Sequence, residues 1–417
     1  MTPCLAQGVG LLGEMRGTGS AEPGFLIRRG DGTMIVVSQL LFWLAEEIDG
    51  QRGISEAAEN LSRRIGSTVG ADGVAYLLEH KLAPLGVIAG AGEQTKSPCA
   101  VLALAGRAAL IPPHAVRRVA VLLKHLFHAP VVGIVLASVI AMHLWLLHQP
   151  GSLFDTRAIL EHPATLLSIV AMTALGGLFH EFGHGSASLY GGAEPGAIGA
   201  GFYILWPAFF TDITESYRLD RLGRIRTDLG GIYFNLILSL MLGSLYAHTD
   251  NPVWLWAALA QDLIILQQFI PFLRLDGYYL ISDLTGVPDL FGRVRPMISS
   301  LVPGRAVDRG INDLRPGVRI AVAIWVLSTV SILGWFGVRL ALGFPQIMTG
   351  AWRLTAALWA STAHNLSSGR VAAGLAALVQ SVLVTIQALG IAFLLARAVA
   401  WTGRQAGAGI TKLARRS

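Results

Sequence analysis

Charge is scarce in this chain. Only 14% of its 417 residues are Asp, Glu, Lys or Arg, against about 25% in an ordinary soluble protein, while 53% are hydrophobic. So few charged groups cannot cover a soluble surface of this size, which excludes a purely soluble fold. Cysteine is scarcer still. Cys4 and Cys99 lie in polar flanks without pairing or ligand spacing, which excludes a disulfide framework and a thiolate metal site. No charged segment followed by a compact apolar core comes after Met1, so no cleavable signal peptide is expected. The formal net charge of +6 is not gathered in one patch but spread over loops between apolar runs, which argues against nucleic acid as a partner.

What is present is a series of apolar runs, at about 129–147, 164–189, 229–247, 253–272, 318–341 and 375–400. Each approaches the roughly 20 residues a helix needs to cross the hydrocarbon core. A further run, 343–364, is interrupted by Gly350 and Arg353 and is expected to be interfacial or re-entrant. Lys and Arg favour cytoplasmic loops. An inside N-terminus places Arg218, Arg221, Arg224 and Arg226 in one internal loop, Arg274, Arg293, Arg295 and Arg315 in the next, and Arg397, Arg404 and Lys412 in an internal tail. The expectation is a multi-pass protein of the cell membrane, in contact with lipid, with both termini cytoplasmic.

Residues 1–95 differ in kind, because charged and apolar residues alternate there at short spacing. Val37, Leu40, Leu41 and Leu44 recur at helical intervals up to Asp49-Gly50. A second helix is expected from Ser55 through Leu61 to Ile65, a third from Ala71 to Lys81, and a strand after Pro84. The expected fold is therefore an all-α polytopic membrane protein of about six transmembrane helices with a small N-terminal winged-helix-like α/β domain. Its parts are a soluble domain at 1–95, a linker at 96–118, a membrane core at 119–300, and C-terminal transmembrane helices with a basic tail at 301–417.

The chemistry centres on His180-Glu181-Phe182-Gly183-His184, inside an apolar segment. Histidines four apart on a helix project from one face and can share one ion, and the intervening glutamate stands beside that ion as a general base. Ionisable groups at the end of a membrane span are costly unless they serve a site. Catalytic zinc usually takes three protein ligands and keeps one open position. Asp276, in Leu275-Asp276-Gly277, is the candidate third ligand, since the count of crossings returns it to the same side as His180 and His184. Taken alone, Asp276 reads equally as a turn aspartate beside Gly277.

The two motifs together resemble the site-2 protease family of intramembrane zinc metalloproteases over about residues 119–300. That resemblance implies zinc held by His180, His184 and Asp276, with Glu181 catalytic. Gly231-Ile232-Tyr233-Phe234-Asn235 is similar to the family's glycine and asparagine on the intervening span, whereas Gln268 stands where the family commonly has Asn. The run Leu275 to Leu284, with Pro207 to Asp212 upstream, resembles a bacterial subgroup of peptide zinc metalloproteases. Ile48 to Arg52, Ser55 to Leu61 and Val74 to Glu79 resemble a PqqD-type domain, with Ala57 in place of a larger aliphatic residue. In that family the domain holds the leader of a ribosomally made precursor peptide.

The resemblances imply removal of a leader during peptide maturation, with a precursor peptide as substrate. A regulatory protease that releases a membrane-tethered factor and a non-catalytic peptide exporter or immunity protein are the alternatives. Gly196 to Leu205 is too glycine-rich for a good helix. It reads either as an extended segment that adds a substrate strand or as a re-entrant packing loop. Asp212, Asp228, Asp283 and Asp289 are candidates for orienting ligands or capping helices, while His125, His128, His143 and His148 are assigned no role.

Overall fold

The computed structural model describes residues 2–30, 34–89, 105–148, 163–203, 206–300 and 309–414. The first part of the linker expected at 96–118, residues 96–104, therefore falls outside the described residues.

The N-terminal unit begins with three strands, β1 (Gly10–Glu14), β2 (Gly24–Arg28) and β3 (Met34–Ser38), in an antiparallel sheet of order β1-β2-β3. Three helices follow: α1 (Gln39–Glu46), α2 (Ile54–Ile65) and α3 (Ala71–Leu77), the last continued by a π-helical turn to Leu82. Phe25, Ile27 and Val37 on one sheet face meet Phe42, Leu44, Leu61, Val74 and Leu82 to form the core. The winged-helix-like expectation is corrected in its order, because the sheet precedes the helices. The expected strand after Pro84 makes only an isolated bridge, Ile88 to Leu5. Val37 illustrates the cause. It fits the helical spacing of Leu40 and Leu44, yet the chain stays extended until Ser38, whose Oγ caps α1 by accepting from Leu41 N.

The expected linker at 96–118 is also corrected in its second half. Residues 105–111 form β4 (Ala105–Ile111) and 113–123 form α4 (Pro113–Leu123), which packs on the helix that carries His180 and His184 through the buried Val116 and Ala120. The Ala and Gly of β4 carry little strand propensity. What makes it a strand is its pairing with β5 (Ile198–Tyr203), which pairs in turn with β6 (Trp206–Thr211).

The remainder is mostly helical, and five helices among the described residues are long and apolar enough to cross a membrane. These are α5 (Ala129–Leu147), α6 (Pro163–Gly191), α7 (Arg221–Thr249), α12 (Pro316–Ser367) and α13 (Val371–Ala414), of which α13 qualifies through Val371–Ala400. The remaining expected span is α8 (Pro252–Gln268), whose 17 residues reach about 26 Å, short of the roughly 30 Å hydrocarbon core. It stops before Pro271, earlier than the expected 272. Short helices α9 (Asp276–Thr285), α10 (Val294–Ser300) and α11 (Arg309–Asn312) lead from there to α12.

The expectation that 343–364 is a separate interfacial segment is corrected. It continues α12, a helix of 52 residues and about 78 Å with Pro345 inside it. Helix α13 turns back along α12 after Gly369, which has φ of +72°.

The two parts of the chain are stitched together by the turn between β1 and β2. Gly19 N donates to Gly286 O at 2.8 Å, Ala21 N to Asp313 O at 2.7 Å, and Arg315 N to Gly19 O at 3.1 Å. Nearby, Arg28 at the end of β2 pairs with Glu215 at 2.7 Å.

Candidate metal centre

Helices α6 and α7 cross at closest approach through glycine. A Cβ on Gly183 would come within 2.3 Å of Gly230 O, so the two backbones touch there and no larger residue fits. This crossing lays His180 and His184 of α6 over Gly231 of α7. Beside them, α9 begins at Asp276, where a carboxylate is favoured by the helix dipole. Gly277 is pressed against the end of α8, since its Cβ would lie 2.7 Å from Phe269 O. The turn residue thus serves packing while its neighbour serves the site.

The three candidate ligands come together as expected. His180 Nε2 lies 3.0 Å from His184 Nε2 and 3.2 Å from Asp276 Oδ2, and His184 Nε2 lies 3.4 Å from Asp276 Oδ1. His180 and His184 are buried, and Asp276 is nearly so. A tetrahedral ion with bonds of about 2.0–2.1 Å holds neighbouring donors roughly 3.3 Å apart. The observed spacings fit that arrangement.

The protonation pattern fits too. His184 Nδ1 lies 2.8 Å from Thr227 O, which can only accept, so Nδ1 carries the proton and Nε2 presents its lone pair to the shared point. These residues can hold a metal ion.

Glu181 is held beside this cluster by β6. Thr211 Oγ1, at the end of that strand, lies 2.8 Å from Glu181 Oε2 and 2.9 Å from Glu181 O. At the other end of the sheet the Tyr203 hydroxyl accepts from Arg274 N at 3.2 Å. The sheet β4-β5-β6 therefore reaches from the helix of His180 and His184 to the turn that carries Asp276.

No family model, curated protein or solved structure matches this chain.

The extended reading of Gly196 to Leu205 holds for Ile198 to Tyr203, and residues 204 and 205 lie outside the described residues. Direct addition of a substrate strand to this segment is nevertheless corrected, because β5 is the central strand and both its edges are filled. The outer edges belong to β4 and β6.

Among the other residues singled out, Asp283 accepts from Arg224 Nε at 2.7 Å, and Asp212 Oδ1 accepts from Thr214 N at 3.1 Å. Asp289 stands 3.7 Å from Arg274. Asn235 and Gln268 are each left with a buried side-chain oxygen that has no hydrogen-bond partner among the described residues. His143, given no role from sequence, lies 3.0 Å from Asp262, which also accepts from Ser239 Oγ at 2.7 Å. Asp262 ties three helices together, and a carboxylate inside α8 was the available signal for such a contact. Thr211 and Thr227 were not legible as site residues, since neither stands in a motif.

Proposed function

We propose that this chain is an intramembrane zinc metalloprotease of the site-2 type that hydrolyses peptide bonds in a ribosomally made precursor peptide, removing its leader. The observation that carries the reading is the convergence of two imidazole Nε2 atoms and one carboxylate at spacings of 3.0–3.4 Å, with a glutamate adjacent on the same helix. His180, His184 and Asp276 would hold the ion. Zinc, when bound, supplies a Lewis acid that polarises the scissile carbonyl and acidifies a water.

Glu181 takes a proton from the attacking water as its oxygen bonds to the carbonyl carbon. It then gives that proton to the amine nitrogen as the C–N bond breaks, so the carboxylate ends as it began. Thr211 keeps Glu181 in position by donating to Oε2. The bias of Lys and Arg supports placing both termini, and with them the metal-bearing end, on the cytoplasmic side of the cell membrane.

The leader-binding role of the N-terminal unit is supported by the outer edge of β3, which pairs with no strand among the described residues. A concavity at the end of that strand is lined by Ser38, Leu40, Trp43 and Ile65. A second, lined by Ser55, Ala58, Ser62 and Arg63, lies along α2. An extended peptide would pair with β3 and place alternate side chains in such pockets.

Glu181→Gln, purified in detergent, should retain stoichiometric zinc and lose peptide cleavage. Cleavage by that variant at the parent rate sinks the mechanism. A parent protein that purifies without zinc favours the non-catalytic exporter.

A further inference from the structure

Among the described residues Arg224 is the largest fully buried side chain, with 1% of its surface exposed, and it belongs to none of the sequence motifs. Its Nε donates to Asp283 Oδ1 at 2.7 Å, which pins α7 to α9. Its Nη1 donates to Leu219 O at 2.9 Å and to Arg16 O, in the β1–β2 turn, at 3.0 Å. The same turn is held by Arg221 Nη2, which donates to Gly17 O at 2.8 Å.

The two helices joined by Arg224 are those that complete the metal centre. Three residues on from Arg224, Thr227 O fixes the His184 ring, and two turns before Asp283, Asp276 opens α9. A buried guanidinium depends on its partners, because an unmet charge in such a place is strongly destabilising; Nε and Nη1 are met here, while Nη2 has no hydrogen-bond partner among the described residues. One of the carbonyls that meet it comes from the N-terminal unit.

We propose that Arg224 and Asp283 are positioning residues for the metal centre, and that the β1–β2 turn, residues 15–21, is a built-in part of its scaffold. The N-terminal unit then does more than present a peptide. Its docked turn holds α7 and α9 in the register that lets His184 and Asp276 share an ion. The proposal rests on the metal-binding reading of His180, His184 and Asp276 but not on the protease reading.

Gly19 offers a perturbation remote from the ligands. A Cβ there would approach Thr285 O, at the last residue of α9, to 2.1 Å, so Gly19→Val prevents docking while changing no residue of α7, of α9 or of the core of the N-terminal unit. The test compares the full-length parent, Gly19→Val, Arg224→Met and the double variant in detergent. Zinc affinity is read by chelator competition, the ligand field by the visible spectrum of the Co2+ form, and local opening of 276–285 by amide hydrogen exchange.

Gly19→Val should keep the parent's helical circular dichroism, weaken zinc by about tenfold or more, as loss of ligand-orienting partners does, alter the Co2+ spectrum, and speed exchange in α9. Because the turn acts through Arg224, the double variant should be no weaker in zinc than the weaker single one. Parent-like zinc affinity and Co2+ spectrum in Gly19→Val overturn the proposal, as do fully additive losses. The exchange arm is read without metal, so unchanged exchange in α9 overturns it even if the parent binds no zinc. A parent that binds zinc but cleaves nothing defeats the protease reading alone.

Discussion

Gly231→Ala adds one methyl group at the floor of the metal centre. The added Cβ would stand 2.4 Å from His180 Nε2 and 2.5 Å from His184 Nε2, whereas real Cβ contacts essentially never fall below 3.0 Å. Each ring must therefore retreat by about half an ångström or more. Metal–ligand bonds tolerate departures of about 0.2 Å, so at least one imidazole leaves the ion. The rings cannot retreat freely, since His184 is tied to Thr227 O and both lie on the helix face pressed against α7.

The expected loss in zinc affinity exceeds the roughly 10–100-fold typical of disturbing an outer partner of a ligand. Competition with a chromophoric chelator in detergent measures it, with circular dichroism confirming that the helices remain. Zinc binding at parent strength by Gly231→Ala would refute the assignment of these Nε2 atoms as ligands.

Thr211→Val removes the hydroxyl that orients Glu181 and keeps the side chain's shape. A hydrogen bond to a charged group contributes about 1.5–3 kcal/mol, so kcat should fall by roughly ten- to a hundredfold while bound zinc stays stoichiometric; loss of zinc would place Thr211 in the metal scaffold instead. His143→Leu leaves Asp262 with only Ser239 inside the helical bundle. The cost should be about 1–3 kcal/mol, below the roughly 3–5 of a fully buried pair, since the His143 side chain is 38% exposed. Thermal unfolding in detergent reads the loss, and His143→Leu combined with Asp262→Leu should recover most of it; no recovery would show that the pair is not what Asp262 needs.

The candidate metal ligands were only partly legible from spacing. Two histidines a helical turn apart must share a face, whereas Asp276 was singled out by the count of crossings and by the resemblance. The long apolar helices were legible from their composition, apart from α8, which is shorter than its apolar run suggested, and α12, where Gly350 and Arg353 imitated a break. An intact helix carries both at an exposed or half-buried surface, and Pro345 is accommodated within it. The strands were hidden for the opposite reason. β1 and β3 are short runs whose extended state depends on pairing with β2, and β4, which has little preference of its own, depends on β5, a partner distant in sequence. Arg224 was hidden because the basic bias of its loop marks a cytoplasmic flank, and the same bias conceals a guanidinium that is buried.

The position of that arginine changes what the N-terminal unit can be. Read from sequence, the unit is a tethered module whose linker raises the local concentration of a bound leader, so a chain lacking residues 1–95 would hydrolyse a short peptide nearly unchanged. A tether alone leaves the module free to take many orientations. The β1–β2 turn removes that freedom, since Gly19, Ala21 and Arg28 are each bound to the membrane core at 2.7–3.1 Å. The outer edge of β3 then has one fixed direction relative to the candidate metal site, and a leader paired along it would emerge on a set path. The same contacts mean that deletion of 1–95 strips Arg224 of a buried partner, so it impairs the short peptide as well as the precursor. Capture and scaffolding are separated instead by adding the isolated leader peptide to the intact protein. A leader that occupies β3 slows cleavage of the precursor by competition and leaves the docked turn, and hydrolysis of the short peptide, untouched.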